Sequence, residues 1–373
     1  MAPTIGATPQ ARIALHAMDA EILYDFRSDT VTRPTAAMLQ AMLKAPTGDD
    51  VFGDDPTVLA LESETAALLG KEAALFVASG TMSNLLAMRL HVGPLAEVLC
   101  DHRAHVHQWE VGGIHATGAA VAAVAPEPGE RFLTAASVAA HTRTDNCLYH
   151  QPVTAVLALE NTLNGDVMPL AEVDAACAEA RALGLATHLD GARLWNAVAA
   201  SEGVAADAWA APFDTVSVCL SKGLGAPIGS VLVGSAAHID RARHFRKLSG
   251  GGWRQAGLLA AAGRHALAHH RERLAEDHAA AEELAAGVAD LGFAVQPPET
   301  NMVWCAPPAG VDFERAAQRL RDEEGILVGG AYGGPRGRNP AAEAARAMRF
   351  VTHLQTPPRA VRALLSGLAR VLR

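Results

Sequence analysis

Residues 217–230 read Ser217-Val-Cys-Leu-Ser-Lys-Gly-Leu-Gly-Ala-Pro-Ile-Gly-Ser230, "SVCLSKGLGAPIGS". An apolar run ends at Lys222, and the lysine is then surrounded by glycines and a proline with no second charge beside it. A solvated surface lysine needs no such setting, because its aliphatic stem carries the ammonium into water from almost any helix face. A lysine confined at the end of a buried strand loses its charge or forms a Schiff base, since desolvation disfavours the ammonium. Glycines around it leave room for a flat molecule to lie against the backbone.

Working outward, the run belongs to a series between Ala73 and Val233: "AALFVASGT", "AEVLCD", "TAVLALEN", "LATHLDGA", "DTVSVCLS" and "GSVLVGS". Each is short, shows little apolar/polar alternation and is separated from the next by Ala-rich helical patterns, as expected of strands buried on both faces of a mostly parallel α/β sheet. Polar residues cluster at the ends of the runs: Ser79 and Thr81, Glu160 and Asn161, Asp190, and Lys222. All are predicted at the C-terminal edge of the sheet, where open α/β sheets bind ligands.

The intervening stretch "LAEVDAACAEARALG" reads as a helix with Gly184 as its C-cap. Ala260 to Leu291 reads as one long helix leading out of the large domain. Beyond it, "GFAVQ", "NMVWCAP", "GILVGG" and "AMRFVTHL" are strand candidates of a smaller α+β domain, with "FERAAQRLRDEEG" as a helix among them. The expected divisions are an N-terminal arm (1–22), a large cofactor-binding domain (23–270) and a small C-terminal domain (271–373).

With 373 residues, half of them apolar, the chain can bury a sizeable core, and no period of internal repetition is visible. A formal charge of −9 and the absence of Lys/Arg runs exclude nucleic acid and anionic membrane as expected partners. The five cysteines are widely spaced without a CxxC pair and read as reduced core thiols. The first residues lack the pattern of a secretory signal and no apolar run has membrane-spanning length, so a cytoplasmic protein is expected.

Pyridoxal phosphate is a cofactor that joins a lysine, and it makes three further demands: a carboxylate for its ring nitrogen, an anion cradle, and a ring or imidazole over its face. Asp190, followed by Gly191, supplies a carboxylate at the sheet edge; helix N-capping is the competing role for it. Ser79, Gly80 and Thr81 open a helix directly after a strand, where backbone N–H groups and the helix dipole suit a phosphate. His105 lies in "CDHRAHVHQWE" between His102 and His107. That spacing does not keep three imidazoles on one face and no nearby cysteine completes a metal set, so His105 reads as a ring-stacking group and no metal is expected. The cluster "RHALAHHRER" reads as a solvated helix face.

Taken in order, "FRSDTVTRPTAAM", "GDDVFGDDPTVLALE", "FVASGTMSNLLAM", "LALENTLNG", "THLDGARLWNA", "CLSKGLGAPIGSVLVGS", "GGGWRQAGLLAAAG" and "MRFVTH" resemble the low-specificity L-threonine aldolases, within the β-eliminating lyase family. The resemblance spans roughly residues 24 to 353. It implies the aspartate-aminotransferase-like fold (fold type I): a large, mostly parallel α/β domain with a smaller C-terminal α+β domain. It implies that Lys222 is the Schiff-base lysine, that Asp190 meets the pyridine nitrogen, and that His105 stacks on the ring. Ser79, Gly80 and Thr81 would hold the phosphate, with Arg254 reaching it from a neighbouring subunit of a homodimer or homotetramer. Ser28, Arg193 and Arg349 match the positions that grip the substrate carboxylate, for which the arginine fork is apt.

The implied reaction is retro-aldol cleavage of an L-β-hydroxy-α-amino acid, such as L-threonine, L-allo-threonine or a phenylserine, to glycine and an aldehyde. His150, ten residues before Glu160, matches a histidine of the family's pocket and is the first candidate for the base; His105, or a water held by either, is the alternative. Two departures stand out: Leu163 occupies a position where many members carry histidine, and residues 329–353 make a longer approach to Arg349 than the family leads one to expect. The competing readings are another pyridoxal-phosphate lyase or aldol-transfer enzyme acting at Cβ, for instance by β-elimination, and a non-catalytic module with the same fold.

Overall fold

The computed structural model describes residues 22–145, 147, 149–329 and 348–372. Most of the expected N-terminal arm and the centre of the long approach to Arg349 therefore lie outside the described residues. After a two-residue strand, β1 (Tyr24–Asp25), come β2 (Ala73–Val77), β3 (Ala96–Asp101), β4 (Ala120–Val124), β5 (Val153–Glu160), β6 (Ala186–Gly191), β7 (Thr215–Cys219) and β8 (Ser230–Gly234). The last seven form one sheet in the order β2-β8-β7-β6-β5-β3-β4. Every residue of β7 and β8 is buried, which is why these strands read as unbroken apolar runs. The Ala-rich β4 is an edge strand, partly exposed along its whole length, and its composition gave no strand signal.

Within this sheet β8 alone runs antiparallel to its neighbours β2 and β7. The connection 220–229 contains no helix, and a parallel neighbour requires a crossover of a dozen or more residues, so the chain doubles back at the sheet edge. Lys222 sits in that reversal. The turn depends on Gly229: its φ is +111°, and a Cβ there would lie 2.5 Å from Phe76 Cε2.

The expected long helix is two helices, Gly257–His269 and Leu274–Asp290. The interruption is held by non-local bonds: buried His270 Nδ1 lies 2.7 Å from the Leu224 carbonyl oxygen, and the Arg273 guanidinium bonds to Asp277 and, at 3.5 Å, to the Gly223 carbonyl. Both contacts tie the break to the segment just after Lys222.

C-terminal to these helices are β9 (Ala294–Gln296), β10 (Met302–Ala306), β11 (Ile326–Leu327) and β12 (Met348–Val351). β9, β10 and β12 form an antiparallel sheet with β10 in the centre, whereas β11 pairs in parallel with β1. Phe26 accordingly packs with Leu284, Val303, Leu320 and Phe350 in a core separate from that of the large sheet. The helix Phe313–Glu324 is capped by Asp312 and ends at Gly325 with φ +64°, and Gly184 follows its own helix with φ +81°, as their sequences indicate. Cys100, Cys177, Cys219 and Cys305 are buried free thiols; Cys147 is exposed, a correction to the core assignment, because it lies in the loop ahead of β5. No helix among the described residues is long and apolar enough to cross a membrane.

Candidate active site

Three strand ends set the floor of the site. Asp190, 2% exposed near the end of β6, receives bonds from Asn84 Nδ2 at 2.7 Å and the Ala192 N–H at 3.0 Å. Glu160 ends β5 in register with Asp190 and accepts the His105 N–H at 2.7 Å. Lys222 follows β7; its carbonyl accepts the Thr32 hydroxyl at 2.8 Å, which fastens the segment 28–32 beside it. The Lys222 charge acts on both Glu160 and Asp29, so the lysine shares its surroundings with these carboxyls.

Ser79, Gly80 and Thr81 come to the same edge at the start of the helix Gly80–His91, because β2 runs parallel to β7 through their common neighbour β8. Ser79 Oγ caps the Met82 N–H at 3.1 Å, while the N–H groups of Gly80 and Thr81 belong to the first turn, which lacks intrahelical partners. Gly80 lies close to β7: a Cβ there would stand 2.9 Å from Cys219 Sγ.

His105 opens a short helix just after β3, and its Nδ1 lies 2.8 Å from Glu110 Oε1. Burial works against its protonation, but the bond to Glu110 and the charges of Asp190, Glu110 and Glu160 raise its pKa above the ordinary value. Glu160 is pushed up to about 8 by burial and by the negative charge of Asp190, against the pull of His105 and Lys222.

The other wall is built on residues 27–29. Arg193 grips Asp29 with both prongs, Nε to Oδ2 at 2.8 Å and Nη2 to Oδ1 at 2.6 Å, and Asn301 Nδ2 adds a bond of 3.3 Å. Burial alone would raise the Asp29 pKa, yet the Arg193 charge and bonds, with Lys222 and Asn301, hold it well below the usual carboxylate range. Ser28 caps the short turn that carries Asp29. Arg349, on β12, reaches the Arg27 carbonyl at 3.4 Å and lies over the Trp304 ring. Ser28, Arg193 and Arg349 thus meet around one segment, although none of them is close to another in sequence.

Among the described residues no hydrogen bond or ion pair joins His150 or Arg254 to the groups above. His150 is exposed and lies three residues before β5, whose length of about 23 Å, at about 3.3 Å per residue, separates that end of the strand from Glu160 at the site. Arg254 is exposed and paired with Asp49 Oδ2 at 3.1 Å. Leu163 is buried in the core of the large sheet. Sequence reading passed over Asp29, Asn84, Glu110 and His188, although all four lie inside the quoted stretches "FRSDTVTRPTAAM", "FVASGTMSNLLAM", "CDHRAHVHQWE" and "THLDGARLWNA"; nothing local says which side chains they meet.

Seven strands in this order, with the reversed β8 beside the lysine-bearing turn, make the chain a fold type I α/β protein, the architecture of pyridoxal-phosphate enzymes. Solved structures superpose accordingly: a threonine aldolase from Leishmania major matches with a TM-score of 0.78 at 21% identity, covering 94% of this chain and all of that one. A serine palmitoyltransferase from Sphingomonas wittichii gives 0.70 at 18% identity, covering 95% and 91%. At such identities the likeness concerns the fold. Within that class the chain belongs to the β-eliminating lyase family, whose pattern its residues 25–307 match. Among curated relatives, the low specificity L-threonine aldolase of Escherichia coli K12 is 41% identical over 336 residues, 89% of this chain and 94% of that protein. An aldolase of Penicillium aethiopicum is 48% identical over 286 residues, 75% and 73% of the two chains.

Proposed function

We propose that the chain is a pyridoxal-phosphate-dependent aldolase that cleaves L-β-hydroxy-α-amino acids, L-threonine and L-allo-threonine among them, to glycine and an aldehyde. The observation that carries this reading is near full-length kinship to a low specificity L-threonine aldolase in a chain that retains Lys222, Asp190 and His105 together.

The residues present fit the cofactor. Asp190 accepts two N–H groups among the described residues while a carboxylate has about four acceptor sites, so it can take a ring N–H, and its register partner Ser217 on β7 has a buried hydroxyl without a hydrogen-bond partner among the described residues. Lys222 is the amine that would hold the cofactor, Asp190 the acceptor for its ring nitrogen, and the N–H groups of Gly80 and Thr81, with Ser79, the cradle for its phosphate. Bound there, pyridoxal phosphate supplies an electron-withdrawing ring that weakens the bonds at the substrate's α-carbon.

The chain's own groups then decide which bond is broken. Arg193 Nη1, which takes no part in the Asp29 bonds, and the Arg349 guanidinium hold the substrate carboxylate and so orient the Cα–Cβ bond. Ser28 adds a hydroxyl from the same segment. His105 covers the ring face and, with its ring held by Glu110, is the imidazole of this chain placed to take the proton from the β-hydroxyl. His150 would act as that base, and Arg254 as a phosphate ligand, across a subunit contact, roles that go with a homodimer or homotetramer that shares sites. The protein is read as cytoplasmic, and phenylserine is a candidate substrate alongside the threonines.

The test is to supply purified, cofactor-loaded protein with L-threonine, L-allo-threonine and L-phenylserine separately and to quantify aldehyde and glycine. Equimolar products, abolished in Lys222→Ala together with the lysine-bound cofactor absorption band, are expected. Keto acid and ammonia in their place would assign β-elimination and reject the aldolase.

A further inference from the structure

Behind Asp190 a line of polar side chains crosses the core. Asn84 Nδ2 lies 2.7 Å from Asp190 Oδ2 and 2.8 Å from Glu110 Oε1. On its far side Asn84 Oδ1 is 3.1 Å from His188 Nε2. His188 Nδ1 is 2.9 Å from Thr215 Oγ1, and the same hydroxyl is 2.9 Å from His91 Nε2. Asn84, His188 and Thr215 are at most 1% exposed.

The secondary structure makes this alignment possible. His188 and Asp190 share a face of β6, Thr215 is the register partner of His188 on β7, and Asn84 and His91 lie two turns apart on one side of the helix Gly80–His91.

The direction of the bonds follows from chemistry. Ionised carboxylates only accept, so the Asn84 amide turns its NH₂ to Asp190 and Glu110 and its oxygen to His188, whose Nε2 must donate. A neutral imidazole carries one N–H, so Nδ1 accepts from Thr215, which in turn accepts from His91. Burial holds His188 at about 4, despite the nearby Asp190, and His91 at about 3, so both rings are neutral near pH 7. Every donor in the line points toward Asp190.

We infer that Asn84, oriented by His188 and Thr215, is a positioning residue that holds the Asp190 carboxyl in place as the acceptor for the cofactor nitrogen. The inference rests on the role proposed above for Asp190. Ligand atoms of His105, Glu110 and Asp190 all lie within 4.8 Å of one another. Two carboxylates that close resist joint ionisation and tend to share a proton, which would take charge away from Asp190. The amide between them gives each an N–H instead, and leaves Glu110 to the imidazole of His105. Aliphatic side chains at 84, 188 and 215 together would fill the same space with no polar group to satisfy, so a purely structural demand does not account for the line.

The experiment compares dissociation constants for pyridoxal phosphate and for its 1-deaza analogue, whose ring carries C–H in place of nitrogen. Wild-type protein is expected to prefer pyridoxal phosphate. His188→Leu is expected to reduce that preference about tenfold, the scale of one charge-assisted hydrogen bond. His188→Gln, which offers both an N–H and an acceptor, restores it, and Thr215→Val gives an intermediate loss. Equal weakening of both ligands in His188→Leu, leaving the preference intact, overturns the inference and makes the line structural. Should His188→Leu fail to fold, the near-isosteric Thr215→Val decides, an unchanged preference again overturning it. No preference in the wild type overturns the Asp190 reading itself, and the inference with it.

Discussion

Asp29→Asn removes one charge from the tightest buried ion pair of the site while changing almost no volume. Arg193 loses a bidentate partner whose two bonds measure 2.6 and 2.8 Å, at a place where its side chain is 12% exposed and Asp29 is fully buried. Leaving one member of such a pair uncompensated costs about 3–5 kcal/mol, and the retained amide oxygen favours the lower end, ~3 kcal/mol. An unfolding entropy of about 2 cal/mol/K per residue over 373 residues converts this to a fall in Tm of roughly 4 °C. On the carboxylate-binding role proposed for Arg193, the freed guanidinium also loses its fixed orientation, so KM for L-threonine should rise about tenfold, with a smaller change in kcat. The pH dependence has a definite sign. A carboxyl whose folded-state pKa is depressed contributes stability that is present above its unfolded value and lost as pH falls through the folded one. The Tm gap between wild type and Asp29→Asn is therefore widest near neutrality and closes on acidification. Thermal unfolding followed by circular dichroism, with aldehyde-release kinetics, measures both effects. A variant that melts within about a degree of wild type and keeps its KM would refute the assigned role of the pair.

Two further outcomes are expected. Gly80→Ala places a Cβ 2.9 Å from Cys219 Sγ, so the helix start or the thiol must shift, and cofactor affinity should fall about tenfold. Cys219→Ala in the same chain should recover part of it, and strict additivity in equilibrium binding would show that the contact is not the cause. Glu160 has the opposite linkage to Asp29: its raised folded-state pKa, about 8, makes the folded chain bind more protons than the unfolded one between the ordinary carboxyl range and that value, so stability declines as pH rises through this interval. In cofactor-free protein, Glu160→Gln should melt progressively higher than wild type between about pH 5 and about pH 8 and level off above, and a constant difference across that interval would refute the assignment.

Much of the large sheet was readable before any coordinates. The strand "AEVLCD" is β3 to the residue, four of the other five quoted runs contain one whole strand and "TAVLALEN" covers β5 except for Val153, because helices on both faces demand mostly apolar side chains. β4 was missed because an edge strand under less packing pressure can be built of alanine and valine. The helix predicted from Ala260 to Leu291 kept its periodicity but not its continuity, since the break is imposed by the carbonyls of Gly223 and Leu224, far away in sequence. "GILVGG" reads as a strand, yet which sheet it joins depended on β1, a segment too short to register as a pattern.

The site divides in the same way. Lys222, Asp190, His105 and the Ser79–Thr81 turn were legible because each stands at the end of a local apolar run, and strand polarity alone assembles such ends at one edge. The partners that set their chemistry were not. Asn84 meets Asp190 across 106 positions of sequence, and Asp29 meets Arg193 across 164, so neither contact has a local signature. His150 fitted by motif, but the length of β5 separates that end of the strand from Glu160. Local composition and periodicity thus determined where the reactive groups lie along the chain. Which of them touch, which way their hydrogen bonds run and which carboxyls keep their protons were decided only when distant segments packed together, because those energies arise from side chains that the sequence keeps far apart.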